Sequence, residues 1–160
     1  ILDIHHSEII KYLSNASRIF FIGRQVDYAI AMEASLKLKE ISYLMSDAYA
    51  AGELKHGTIS LIEDGTPIVA IVTDSNIAEK TISNIKEVKA RGAYVVLVIA
   101  SNLDDSFDWC DQKIVIPAVS SFLLPLVTIL PLQMLAYDIA LMNGCDIDQP
   151  RNLAKSVTVE

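Results

Sequence analysis

Apolar residues follow two alternating rhythms along this chain. Short, continuously apolar runs occur at Arg18 to Gly23 (RIFFIG), Thr66 to Thr73 (TPIVAIVT), Ala93 to Ala100 (AYVVLVIA) and Lys113 to Pro117 (KIVIP). They are rich in β-branched and aromatic residues and read as strands. Between them lie longer stretches in which apolar positions recur at helical spacing: DIHHSEIIKYLSNAS, YAIAMEASLKLKEISYL and NIAEKTISNIKEVKARG. Strands apolar on both faces, alternating with helices, form a parallel sheet covered on both sides. The pattern predicts a three-layer α/β/α sandwich with a flavodoxin-like central parallel sheet. No short repeat, low-complexity tract or Gly/Ser/Pro-rich linker divides it, so residues 1–160 are expected to form one domain.

The one long apolar run, FLLPLVTILPL from Phe122 to Leu132, is too short to span a bilayer and is followed by Gln133 and Asp138. It reads as a buried or interface helix, and no membrane association is expected. At 160 residues and 52% hydrophobic composition the chain can bury the core of a single domain. A formal charge of −7 gives no basic footprint for phosphate backbones, which argues against nucleic acid. Cys110 and Cys145 have no C-x-x-C spacing, and His5, His6 and His56 form no helical H-x-x-x-H pair. Neither a disulfide framework nor a metal site is encoded visibly, and a reducing cytoplasm is the simplest setting. The chain starts at Ile1 without an initiator Met, which suggests a fragment of something longer.

Candidate chemistry sits in three places. In YAIAMEASLKLKEISYL, the residues Glu33, Lys37 and Glu40 fall at i, i+4 and i+7 on one helical face, while Lys39 points elsewhere. By pattern alone an exposed salt-bridged stripe is the simpler account. A helix otherwise nearly all apolar, expected at the C-terminal edge of a parallel sheet where such sheets place ligands, weighs toward a site. In AYAAGELKHGTISLI, Gly52 and Gly57 bracket Glu53, Lys55 and His56 on a loop or turn-sized helix. A lone histidine is usually structural, but one flanked by charges and two glycines is a better candidate. Third, the closing RNLAKSVTVE carries Lys155 five positions from the end. It is either a frayed tail or a lid that brings in an amine. No Gly-rich phosphate loop is present: GRQVDYA and TDSNIAE match neither dinucleotide nor P-loop fingerprints, and Thr73 and Ser75 suit helix capping better than anion binding.

Taken together and in order, EASLKLKEISY, AYAAGELKHG, PLQMLAYDIAL and DQPRNLAKSVTVE resemble the glucosamine-fructose-6-phosphate aminotransferase (isomerizing) family, the glucosamine-6-phosphate synthases. The similarity covers essentially the whole chain and points to the second of two sugar isomerase (SIS) domains, with a catalytic tail at 147–160. It implies conversion of fructose 6-phosphate and glutamine-derived ammonia to glucosamine 6-phosphate. The partners implied are a sugar phosphate, a first SIS domain that supplies the phosphate loop, a glutaminase domain and a second subunit; no cofactor is implied. By resemblance Lys155 forms a Schiff base with the C2 carbonyl, Glu40 moves a proton between C1 and C2, and Lys37 assists beside it. His56 opens the sugar ring from the neighbouring subunit, Ala154 contacts substrate, and Arg151 positions the tail. GRQ lacks the second glycine of the commoner GRG, and Thr58 replaces a frequent proline, which puts loop geometry in question. The competing expectation is a regulatory SIS module that senses phosphosugars without transforming them.

Overall fold

The computed structural model describes residues 7–104 and 107–153. Its elements in order are α1 (Ser7–Ser14), β1 (Arg18–Gly23), α2 (Val26–Ser42), β2 (Met45–Ala50), β3 (Pro67–Val72), α3 (Ala78–Lys89), β4 (Tyr94–Ala100), β5 (Gln112–Ile116) and α4 (Leu124–Met142). Two short 3-10 turns, Leu54–His56 and Thr58–Leu61, lie between β2 and β3. The strands form one fully parallel sheet in the order β2-β1-β3-β4-β5.

Period-two alternation divides the buried side chains into two cores. Val69, Ile71, Val96 and Val98 face α1, α2 and α4; Ile68, Ala70, Val72, Val95, Leu97 and Ile99 face α3 and the 3-10 turns. This is the expected three-layer sandwich. The central strands β3 and β4 are apolar at almost every position because neither face meets water.

The strand β2 was not legible as one. It is one of two edge strands, Ser46 is its only buried residue, and Met45 at its start is exposed. Only one flank of it is paired and most of its side chains stay partly exposed, so it lacks the continuous apolar run of the central strands. Its register places Met45 opposite Arg18 and Ala50 opposite Gly23.

The helix α2 is seated closely on the sheet by small residues, with Ala31, Ala34 and Ser35 buried beside Leu38. The Ser46 hydroxyl donates to the Ser35 carbonyl at 2.8 Å, tying α2 to β2. Leu38 is 2% exposed, and shortening it to Ala would cost about 2 to 5 kcal/mol and loosen the helix.

The apolar run at Phe122 continues further than its first eleven residues suggest. The helix begins at Leu124, after an exposed Phe122, and runs nineteen residues to Met142. By length and composition it could cross a membrane, yet Thr128, Leu132, Leu135, Ala136 and Ile139 pack into the core beside α2. Its hydropathy is that of a core helix with a second apolar face.

Candidate active site

Strand polarity decides where the charged stripe of α2 falls. The helix leaves the carboxyl end of β1 and returns to Met45, which pairs with the first residue of β1, so its C-terminal half lies toward the amino edge of the sheet. The stripe therefore flanks the sheet from its middle to its amino edge. The expected location at the carboxyl edge is incorrect, because a crossover helix carries its last turns away from that edge.

The three charges do meet. Lys37 Nζ donates to Glu40 Oε2 at 2.8 Å and lies 3.7 Å from Glu33 Oε1. The Glu40 side chain is 26% exposed against 44% for Glu33, so Glu40 is the more enclosed carboxylate. The hydrogen bond to Glu40 raises the pKa of the Lys37 ammonium, with burial opposing and the charges of Glu40 and Glu33 reinforcing. Lys37 is thus held as a cation, fit to donate and unfit to serve as a base. Lys39 turns away to Asp47 at 3.9 Å, as its helical phase requires.

Tyr43 closes α2 in the left-handed region, φ 62°, with its N–H donating to the Lys39 carbonyl. That cap turns the ring toward the returning chain end. The Arg151 N–H donates to the Tyr43 hydroxyl at 2.9 Å, and the Arg151 guanidinium carbon stands 4.1 Å from the ring centroid. Sequence reasoning gave Arg151 a positioning role but missed its partner. The available signal was an aromatic residue three positions after the carboxylate, where the helix ends. Ala154 and Lys155 lie outside the described residues.

His56 is exposed at the end of the first 3-10 turn, and its N–H donates to the Glu53 carbonyl. Gly57 follows at φ 148°, a conformation that requires glycine, while the role of Gly52 is spatial: its φ is not positive. The turn lies beyond the carboxyl end of β2, whereas Glu40 precedes its amino end. A six-residue strand spans about 20 Å, so this chain does not bring His56 to Lys37 and Glu40.

The loops after β1 and β3 are joined by a buried carboxylate. Asp27, 1% exposed, accepts from the N–H of Thr73 at 2.8 Å and from the Thr73 hydroxyl. Burial pushes the Asp27 carboxyl above its usual range, against the opposing effect of those hydrogen bonds. Thr73 does not cap α3 as expected, because Asp27 already holds its hydroxyl; α3 starts at Ala78 with no side-chain cap. Among the described residues no cluster of three His, Cys, Asp or Glu side chains is placed to hold a metal.

The sequence profile of the SIS domain matches residues 12–143. This chain belongs to the SIS domain family. It is 56% identical over 146 residues, 91% of its length, to glutamine–fructose-6-phosphate aminotransferase [isomerizing] of Caldanaerobacter subterraneus subsp. tengcongensis. It is 51% identical over 159 residues to the corresponding protein of Symbiobacterium thermophilum, a match covering 99% of the chain and so including position 155. The chain spans about a quarter of the length of each of these relatives, 24% and 26%. Among solved structures it superposes on the C-terminal domain of glucosamine-fructose-6-phosphate aminotransferase from Francisella tularensis with a TM-score of 0.84 and 41% identity. That match covers 89% of this chain and 40% of the other.

Proposed function

We propose that this SIS domain is the C-terminal part of the isomerase of a glutamine–fructose-6-phosphate aminotransferase, making glucosamine 6-phosphate. The observation that carries the reading is the junction of α2 with the chain end. Arg151 docks on Tyr43, three residues beyond Glu40. Three helical residues rise about 4.5 Å. Lys155 follows Arg151 by four positions, and four extended residues reach at most about 14 Å. The amine of Lys155 is therefore within reach of the Lys37–Glu40 pair.

The chemistry follows from those groups. A neutral Lys155 amine attacks C2 of open-chain fructose 6-phosphate, and loss of water gives the imine. Ammonia then replaces the lysine at C2. Glu40 takes a proton from C1 and returns it to C2 while the C1 hydroxyl proton passes to the imine nitrogen, leaving an aldehyde at C1 and an amine at C2. The protonated Lys37 donates to Glu40 and can donate to a substrate hydroxyl. Ala154, beside Lys155, contacts the sugar.

His56 opens the ring in a neighbouring subunit's site, a reading supported by its separation from Glu40 within the chain. The remaining parts lie elsewhere in the longer chain: a first SIS domain holding the phosphate and a glutaminase domain releasing ammonia. The apolar faces of α2 and α4 support such partners. Met32 and Leu36 on α2, with Leu126, Leu130, Tyr137 and Leu141 on α4, are 42 to 62% exposed on helices that pack side by side. Cys110 and Cys145 are free, in keeping with a reducing cytoplasm.

Borohydride reduction of the full-length protein with fructose 6-phosphate tests the reading. Covalent sugar on Lys155, abolished by Lys155→Arg because guanidinium stays protonated, is expected. Labelling that survives the substitution rejects it.

A further inference from the structure

We propose that Arg24 is the positioning residue for His56, a role that rests on the assignment of His56 to ring opening. Arg24 follows the last residue of β1 and projects beneath the turn that bears the histidine. Its guanidinium lies flat against Gly52: a Cβ added there would stand 2.8 Å from one terminal nitrogen and 3.2 Å from the central carbon. The same guanidinium donates to Asn84 Oδ1 on α3 at 2.8 Å. Its Nε is buried without a hydrogen-bond partner among the described residues. Leaving a guanidinium nitrogen unsatisfied costs stability, so the placement satisfies the hydrogen bond to Asn84 and the contact with Gly52 at the expense of Nε.

The turn is held at other points as well. Ala51 N–H donates to the Gly23 carbonyl at 2.8 Å, Glu53 N–H to the Ala50 carbonyl at 2.8 Å and His56 N–H to the Glu53 carbonyl at 3.0 Å. These bonds make the segment compact, so a shift at Gly52 is transmitted to His56. Leu54 is buried in the core beneath, and Lys55 stands 3.9 Å from Glu87. Asn84 and Glu87 are one turn apart on α3, so two tethers bind the turn to a single helical face. The imidazole has no side-chain hydrogen bond of its own among the described residues. The turn rests on two supports from below, Leu54 in the core and the planar group against Gly52. This also explains glycine at position 52, where any Cβ would displace the guanidinium.

The experiment uses the full-length enzyme and two sugars. Fructose 6-phosphate closes its ring through the C5 hydroxyl; its 5-deoxy analogue stays open. Borohydride trapping on the active-site lysine is timed with each sugar for Arg24→Ala, Asn84→Ala, Gly52→Ala, His56→Ala and the Arg24→Ala/His56→Ala double variant. Small misplacements of a catalytic group cost up to about a hundredfold. Arg24→Ala and Asn84→Ala should slow trapping of the ring-closing sugar about ten- to a hundredfold and leave the open sugar unchanged. The double variant should be no slower than His56→Ala alone. Asn84→Ala and Gly52→Ala keep the arginine and carry the test if Arg24→Ala does not fold. Equal slowing with both sugars, or losses that multiply in the double variant, would overturn the positioning role while leaving His56 in place. If His56→Ala slows neither sugar, the ring-opening assignment fails and the inference falls with it.

Discussion

Arg151 covers the ring of Tyr43 at 4.1 Å while its N–H reaches the Tyr43 hydroxyl at 2.9 Å, so one residue holds the returning tail in two ways. Each contact is modest. An exposed cation–π contact contributes about 0.5 to 1 kcal/mol and a hydrogen bond about as much. Arg151→Ala removes only the first, since the backbone N–H remains, and Tyr43→Phe removes only the second. Each should slow lysine trapping about two- to fivefold, and Tyr43→Ala about five- to thirtyfold. Tyr43→Ala that matches the unaltered enzyme would show that the tail finds the site without this dock.

Glu40 is the more enclosed member of the pair of carboxylates beside Lys37. Glu40→Gln keeps its shape and removes the base. Exchange of the C1 proton with solvent should fall by about 10²- to 10⁴-fold while fructose 6-phosphate still binds. Exchange at the original rate would reduce Glu40 to a partner of Lys37. Glu33→Gln, at the far end of the stripe and 3.7 Å from the ammonium, should have a small effect by comparison.

Gln25 stands where the commoner GRG form of this loop carries glycine, and its backbone has a positive φ, 50° with ψ −118°. Such a conformation costs a side-chain-bearing residue about 1 to 3 kcal/mol. Gln25→Gly relieves the strain but frees the unfolded chain, so the net gain should be about 1 kcal/mol, or about 3 °C in melting temperature. A melting temperature unchanged or lowered in this chain would contradict the strained geometry.

The same loop shows what sequence reading can and cannot reach. The missing glycine was visible in GRQ, but the strain it implies required the backbone angle. Strands β1, β3 and β4 announced themselves because burial on both faces leaves a continuous apolar run, and the edge strand β5 did so through its short KIVI run although Val115 is exposed. The edge strand β2 did not, because exposure gives it a mixed pattern. Glu33, Lys37 and Glu40 were legible as one face because helical period fixes neighbours three and four apart. Their position along the sheet depended on the course of the helix, which local periodicity does not encode. Arg24 under Gly52 and Asp27 on Thr73 join residues 28 and 46 positions apart, and no spacing rule predicts such pairs.

Asp27 gives a pH dependence with a definite sign. Burial raises its folded pKa above the ordinary carboxyl value of 3.8. Between the two values the folded state binds more protons than the unfolded, so this group's contribution is present below pH 3.8 and is lost as pH rises through the folded pKa. Asp27→Asn removes that dependence and adds an offset that does not vary with pH. The stability difference between the two chains, measured by urea unfolding from acid to neutral pH, should move in favour of the Asp27→Asn variant as pH rises. Parallel curves, or a shift toward the aspartate chain, would refute the desolvation account.

The placement of His56 beyond the carboxyl end of β2, away from Glu40, gives the most direct test of a shared site. If each site takes Glu40 and Lys155 from one subunit and His56 from its partner, a dimer of one Lys155→Ala chain and one His56→Ala chain has two unequal sites. One collects both lesions. The other joins the intact lysine of the His56→Ala chain to the intact histidine of the Lys155→Ala chain, and it should work although both parent homodimers are nearly inactive. If His56 serves its own chain, every site keeps one lesion and mixing restores nothing. The full-length chains carry two different affinity tags, and the mixed dimer is isolated through both before its isomerising activity is measured. About half the activity of the unaltered dimer is expected from one intact site in two. Activity no higher than that of either parent would place His56 in its own subunit's site.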